Sequence, residues 1–270
     1  MKKKKLIVFA FLALLIVLVA IFAKWLCPYD PYEQDLSASY QAPSFIHVMG
    51  TDAYGRDMFS RVIIGGQVSI LATLLLVGII SISGTCIGII SGFFGGTVDM
   101  IVMRISDLCL AFPGLVFALA VAAILGGGVW NAVVALALIS WPKYSRVARG
   151  LTLSIKDSTY VAAARLAGDN SFQLIGRHIL PNIIGPILVT AMLDIGTMMM
   201  ELAGLSFLGL GAQPPVAEWG SMMSNGRSML QTYPWVVLSP GIAIFISVVI
   251  FNLFGDTVRD AIDPKSNRTK

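Results

Sequence analysis

A chain of 270 residues that is 56% hydrophobic and 13% charged, with a mean hydropathy of +0.81, cannot cover a soluble domain with water-facing side chains. The formal net charge of +4 does not point to nucleic acid, because Lys2 to Lys5 supply four of the cations directly ahead of an apolar run and read as a membrane-orientation signal. Composition therefore predicts an all-α membrane protein, one membrane domain with short loops.

The first apolar run, Leu6 to Ala23 behind the four lysines, mimics a secretory signal. It is too long for an h-region, no small-x-small site precedes Trp25, and Leu26-Cys27 lacks the small residue of a lipoprotein signal, so an uncleaved first span is expected. Runs able to cross about 30 Å of hydrocarbon then follow in order: Leu6 to Leu26, Val68 to Phe94, Leu108 to Leu125, Val129 to Trp141, Ile179 to about Leu205, and Val236 to Phe254. The reading is six transmembrane helices. The fourth run is short and is expected to continue through Pro142 toward Val147, while Pro113 and Pro186 sit near span beginnings, where a missing N–H costs little.

Lysine and arginine in the connections set the orientation. With the N-terminus inside, Arg104, Lys143, Arg146, Arg149, Lys156, Arg165, Arg177, Arg259, Lys265, Arg268 and Lys270 join Lys2 to Lys5 on the cytoplasmic side, and only Arg56, Arg61 and Arg227 lie outside, with Lys24 at the outer interface. Both termini are thus expected in the cytoplasm. The outer segment Pro28 to Gln67 carries Asp30, Glu33, Asp35, Asp52 and Asp57 and is too small to be a receptor domain. Its end, Asp57 to Ile64, reads as a short interfacial helix with Met58, Val62 and Ile63 toward lipid. A second outer loop, Gly209 to Pro234, places Tyr233 and Trp235 at the height of an aromatic belt. Cys27, Cys86 and Cys109 form no CxxC pair and read as structural thiols. His47 and His178 fall on opposite sides and make no metal set. Gly92, Gly95 and Gly96, and Gly126 to Gly128, read as turns at span ends, since no strand or Lys-Ser/Thr follows to make a phosphate cradle.

Between the fourth and fifth runs lies a loop broken at Asp157-Ser158, Gly168-Asp169-Asn170 and Pro181, which predicts helix, glycine break, helix. Ser158 or Asp157 caps a first helix through Ala167, Gly168 takes the left-handed C′ position, and Asn170 or Ser171 caps a second helix toward Leu180. Ala162, Ala163 and Ala164 leave a smooth surface that another protein's groove can approach closely, with Arg165 and Arg177 at its rim. The pattern alone is equally that of an amphipathic connector on the inner leaflet. Ala163-Ala164 with Gly168 and then Leu180-Pro181, however, resembles the "EAA" loop of binding-protein-dependent ABC importer permeases. In that family this loop is the coupling helix that fits a cleft of the nucleotide-binding subunit. The sequence departs from the pattern at Ala162, where the family often has Glu, and at His178, where Ile is usual.

The resemblance extends along the chain. Pro28-Tyr29-Asp30-Pro31, Gly50-Thr51-Asp52 with Gly55-Arg56-Asp57, the run Ala203 to Gly211, Glu218-Trp219-Gly220, and Gly255-Asp256 with Arg259-Asp260 and Asp263-Pro264 are similar to the C-type permease of dipeptide, oligopeptide and nickel importers. That resemblance implies a type I ABC importer permease architecture and an inner-membrane location in a bacterium. It also implies a heterodimer with a second permease, two ATPase subunits that bind ATP and Mg²⁺, and an extracytoplasmic substrate-binding protein. No cofactor is expected in this chain. Three parts follow: 1–67 as first helix and outer segment, 68–264 as permease core with the coupling loop at 142–180, and 265–270 as a cytoplasmic tail.

Asp194 and Glu201 fall inside the fifth run, where an ionised side chain facing lipid costs at least about 2.5 kcal/mol. At 100° per residue Asp194, Met198 and Glu201 share one stripe, a candidate wall of a translocation path. The alternative is that each acid is hydrogen-bonded between helices and holds the assembly together. Such acids suit a cationic cargo, a metal chelate or the amino end of a peptide, and Leu193 to Gly196 with Met198, Met199 and Met200 looks more like the nickel branch, although Met in a helix is more often packing. Against the ATP-coupled permease stands an autonomous ion-coupled transporter or channel, which would show inverted repeats and broken central helices. A membrane enzyme would need a histidine pair, HExxH or Ser-His set that two histidines do not provide.

Overall fold

The computed structural model describes residues 2–262; the expected tail, with Asp263, Pro264, Lys265, Arg268 and Lys270, lies outside them. Among the described residues the regular structure is helical, apart from one isolated bridge between Thr51 and Asp57. Helix α1 (Lys2–Ile21) is prolonged by a short turn, α2 (Ala23–Leu26), and leads into the irregular segment 27–57. Helix α3 (Met58–Phe94) runs 37 residues, about 55 Å at 1.5 Å per residue, without a break at 67–68. The expected interfacial helix is therefore no separate element: Asp57 caps α3 by accepting the Ser60 N–H at 2.7 Å, and Met58 and Val62 are buried rather than turned to lipid.

The third expected span is broken. Helices α4 (Gly96–Ala111) and α5 (Gly114–Ile124) meet at 93°. Proline at 113 has no N–H to continue the ladder and drives its predecessor out of the helical region, and Phe112 is extended (φ −103°, ψ 148°). Uniform apolarity from Leu108 to Leu125 concealed that corner. Helix α6 (Val129–Ile155) continues through Pro142, as expected, and past Val147. By length and apolarity four stretches can cross a membrane: α1, α3, the stretch Ser171–Phe207, and α11 (Trp235–Ile262); the bent α4–α5 pair makes five. Helix α6 falls outside that count because its apolar half ends at Trp141 and Lys143, Arg146 and Arg149 follow.

What buries α6 is α3, its most extensive neighbour. Gly84, Gly88 and Gly92, four residues apart on α3, lie against the backbone of α6: a Cβ at Gly84 would come within 2.7 Å of Tyr144 Cβ, and one at Gly92 within 3.0 Å of the Arg149 carbonyl. Small residues at i, i+4 and i+8 let two backbones close up where no hydrophobic drive operates between helices in lipid. Gly92 is thus an interface residue rather than a turn residue, while Gly95, Gly96 and Gly126 to Gly128 have the positive φ of turns. Lys156 Nζ donates to the Gly92 carbonyl at 3.1 Å and closes the far end of the pair.

After α6 come α7 (Thr159–Leu166), the single turn α8 (Ser171–Gln173), a π-helical stretch Leu174–Ile179, and α9 (Leu180–Phe207). A short helix, α10 (Trp219–Gly226), then leads to α11. α10 locks the start of α3. The Trp219 indole N–H donates to the Val62 carbonyl at 2.8 Å, and its ring lies where a Cβ on Gly66 would meet it at 2.8 Å. Glu218, 1% exposed, caps α10 by accepting the Gly220 and Ser221 N–H groups at 2.9 Å each, and receives the Ser69 hydroxyl at 3.0 Å.

Candidate functional site

Two regions carry the residues singled out from the sequence: the loop 156–181 and the acidic stripe of α9. The loop is built largely from helix ends. Ser158 sits at the N-cap of α7 with extended backbone, yet its hydroxyl makes no capping bond and is buried without a partner. Gly168 has φ +100°, the left-handed C′ conformation that costs a side-chain-bearing residue. The Gly168 N–H reaches the Arg165 carbonyl at 3.2 Å and the Asp169 N–H the Ala164 carbonyl at 3.1 Å, the paired bonds of a Schellman end. Asn170 and Gln173 then form a full capping box on α8. Asp169 accepts from His178 Nε2 at 3.0 Å and lies 3.9 Å from Arg177 Nη1, so the two arms of the loop are joined at the base.

Val161 is the one α7 residue that is fully buried. Ala162, Ala163 and Arg165 are exposed, Ala164 is half-buried, and the flanking apolar side chains Leu166 and Phe172 are 90% and 85% exposed. Neither was singled out from the sequence, though a leucine and a phenylalanine flanking a glycine break outside the apolar runs was a usable signal. The second expected helix does not stop at Leu180. It winds through the π-helical stretch straight into α9, with Pro181 in the first turn of that helix and Leu180 half-buried. Proline cannot donate to a carbonyl four residues back and crowds it; the wider π register just ahead provides the room.

Within α9, Asp194 is 2% exposed and bridges to α6, accepting Lys143 Nζ at 2.5 Å and the Tyr144 hydroxyl at 2.9 Å. Met198 is buried and Met200 exposed. Glu201 is half-buried, and its carboxylate makes no hydrogen bond among the described residues. The stripe therefore holds two kinds of acid, an interhelical tie at Asp194 and, about 10 Å along the axis at 1.5 Å per residue, a free carboxylate at Glu201. Lys143 was not foreseen as a partner: placed by its position after an apolar run, it reads as a loop cation, but a flexible four-carbon stem lets it reach along the helix.

The motifs of the segment 27–57 occupy a different kind of site. Arg56 Nε donates to Asp52 at 2.7 Å, Arg61 Nε lies 3.4 Å from the same carboxylate, and Arg61 Nη1 donates to the Pro31 carbonyl at 2.9 Å. His47 Nδ1 meets Asp57 at 3.0 Å, and the Trp235 indole donates to the Thr51 carbonyl at 3.1 Å. At the exposed edge, the Ser37 hydroxyl and N–H bonded to Asp35 hold its carboxyl below the usual range, and burial pushes the Tyr40 phenol up.

This arrangement, a helical bundle with a capped, outward-facing two-helix loop inserted between α6 and α9, is that of the membrane subunits of ABC importers. The family described as the binding-protein-dependent transport system inner membrane component matches residues 84–268, and the chain belongs to it. The N-terminal TM domain of oligopeptide transport permease C matches residues 1–43.

Relatives specify the branch. The probable D,D-dipeptide transport system permease protein DdpC of Escherichia coli is 46% identical over 257 residues, 95% of this chain and 86% of that one. The glutathione transport system permease protein GsiD of Pectobacterium atrosepticum is 44% identical over 93% of this chain and 84% of that one. The dipeptide transport system permease protein DppC of Alkalihalophilus pseudofirmus is 41% identical over 98% and 88%. Among solved structures, the inward-facing MetNI methionine ABC transporter superposes with a TM-score of 0.61 at 17% identity, over 76% of this chain and 98% of that one, and shares the fold. The chain is thus a C-type permease of the peptide ABC importer family, a multi-pass membrane transport subunit with the type I importer permease fold, and it works with separate ATPase subunits.

Proposed function

We propose that this permease imports short peptides, paired with a second, similar permease, receiving cargo from an extracytoplasmic binding protein and driven by two ATPase subunits that hold ATP and Mg²⁺. The observation that carries the coupling is the loop 156–181: a Schellman end and a capping box hold Ala162, Ala163, Leu166 and Phe172 out of the bundle, as a docking surface must be. The coupling contact is assigned to Ala162, Ala163, Ala164, Arg165, Gly168, Leu180 and Pro181, with Leu166 and Phe172 added as apolar anchors. Both termini and this loop are placed in the cytoplasm by the steep lysine and arginine bias.

For cargo, relatives named for D,D-dipeptide, glutathione and dipeptide transport favour a short peptide over a nickel chelate. Met198 and Met199 are packed in the core, so their thioethers are engaged in packing rather than offered to a soft metal. The translocation path is assigned to the free carboxylate of Glu201, with Met198 as packing and Asp194 as an interhelical tie behind it.

Reconstituting the permease with its partner subunits and measuring uptake of a dipeptide, glutathione and a nickel chelate tests the reading. ATP-dependent uptake of a peptide, lost in Leu166→Asp with the membrane subunits still assembled, is the expected result. Uptake that persists without ATP or without the ATPase would overturn it in favour of an autonomous ion-coupled transporter. Glu201→Gln is expected to slow uptake without dissociating the complex; unchanged uptake would remove Glu201 from the path.

A further inference from the structure

A cavity of about 220 Å³ opens between the segment 27–57, the start of α3 and the loop ahead of α10. Arg56 and Arg61, 8% and 4% exposed, form part of its wall. Both lean on one carboxylate, Asp52, with Arg56 Nη2 at 2.7 Å and Arg61 Nε at 3.4 Å. The next acid, Asp57, is engaged by His47 at 3.0 Å and by the cap of α3. Two buried guanidinium groups thus share one carboxylate, and among the described residues one positive charge lacks a partner at the edge of the cavity.

A buried charge is tolerated when a counter-charge with matching hydrogen bonds completes it. Each guanidinium offers five N–H donors in a rigid fork. Among the described residues Arg56 turns Nε and Nη2 to Asp52, each at 2.7 Å, and Arg61 gives Nη1 to the Pro31 carbonyl at 2.9 Å, so further donors remain on both. Arg56 is held in plane by the Tyr54 ring, 4.6 Å below its guanidinium carbon. Asp52 itself, Tyr40, Asn225 and Val216 are among the other lining residues, a polar and an apolar flank for a group with a short alkyl stem.

We propose that this cavity is a carboxylate-binding site, in which Arg56 and Arg61 take the anion through paired N–H donors and Asp52 sets their orientation. The volume is ample for one carboxylate with its stem. Two sources present that chemistry, the terminal carboxylate of the cargo and an acidic side chain of a docked binding protein. The choice between them rests on the import reading; the site itself does not.

The test uses the complete transporter in lipid nanodiscs, with propionate as the probe and propionamide and chloride as controls, read as the thermal unfolding midpoint. Propionate is expected to raise the midpoint saturably, and propionamide or chloride at equal ionic strength to leave it unchanged. Arg56→Lys, which keeps the charge and removes the fork, weakens the apparent affinity by about tenfold or more. Because Arg56 is buried, Val216→Trp provides a second variant: it fills the cavity from its half-exposed rim, leaves both arginines in place, and abolishes the rise. A rise shared by propionamide or chloride, or one that survives Val216→Trp, would overturn the proposal. A free dipeptide that saturates at lower concentration than propionate while its C-terminal amide is inert assigns the site to the cargo; propionate binding with both inert assigns it to an acidic side chain of the docked protein. Uptake of the wild type is scored separately, so failure of this site and failure of the import reading give different results.

Discussion

The two ends of the bundle are held by different means. At the end formed by residues 27–57, side chains do the bracing: Asp52 takes Arg56 and Arg61, His47 takes Asp57, Trp235 reaches Thr51, and Trp219 wedges against Gly66. At the end formed by 156–181, short-range helix caps dominate, and the large apolar side chains Leu166 and Phe172 are exposed. The 27–57 end is pinned to α3 and α11 by long-range side-chain bonds, yet it too leaves Leu36, Phe45 and Ile46 exposed and two guanidinium groups on one carboxylate, so it is braced but still presents surface to a partner. A region that folds by its own caps yet leaves a leucine and a phenylalanine in the open is completed by something else.

The comparison breaks most readily at Gly55. Its φ is +72° and a Cβ would fall on the Asp35 carbonyl, so Gly55→Ala is expected to cost at least about 3 kcal/mol, seen as loss of folded yield and a lower unfolding temperature. Next is the tie between α6 and α9. Asp194→Asn and Lys143→Met are each expected to cost about 2 kcal/mol, and the double variant to cost less than their sum by about 1 kcal/mol, a modest coupling because Lys143 is half exposed. A double-mutant cycle by thermal unfolding in detergent measures it, and strict additivity would mean that the contact does not couple the helices. Gly168 has positive φ but open space around it, so Gly168→Ala carries only backbone strain, about 1 kcal/mol; a cost equal to that at Gly55 would erase the contrast between the two ends. Last comes Ser158→Ala. A working N-cap is worth about 1 kcal/mol, but this hydroxyl makes no bond, and the change is expected to stay within about 0.5 kcal/mol.

Hydropathy made most of the frame legible, because α1, α3, α9 and α11 each expose apolar surface and long apolar runs have one solution in a bilayer. The corner at Phe112-Pro113 escaped notice because hydropathy is blind to direction, although the proline itself was in view. The seam of Gly84, Gly88 and Gly92 escaped because a spacing of four small residues acquires meaning only with a partner helix opposite. The loop was read almost bond for bond at Gly168 and Asn170, since capping is local chemistry written within four residues. Asp194 was recognised as an acid that needs company, but its partner stands 51 residues away, a distance over which only folding reports. The signature residues Asp52, Arg56, Glu218 and Trp219 served as marks of kinship, and the structure gives them work as braces.

One consequence concerns how force passes through the molecule. The loop joins the end of α6 to the start of α9, and Lys143 with Asp194 joins the same two helices again, each partner about 20 Å from the loop by helical rise. Two rods joined at one end and again at their midpoints make a frame rather than a pair of scissors. A displacement applied to the loop then turns α6 and α9 together, carrying Glu201 as cargo of the motion instead of prying the helices apart.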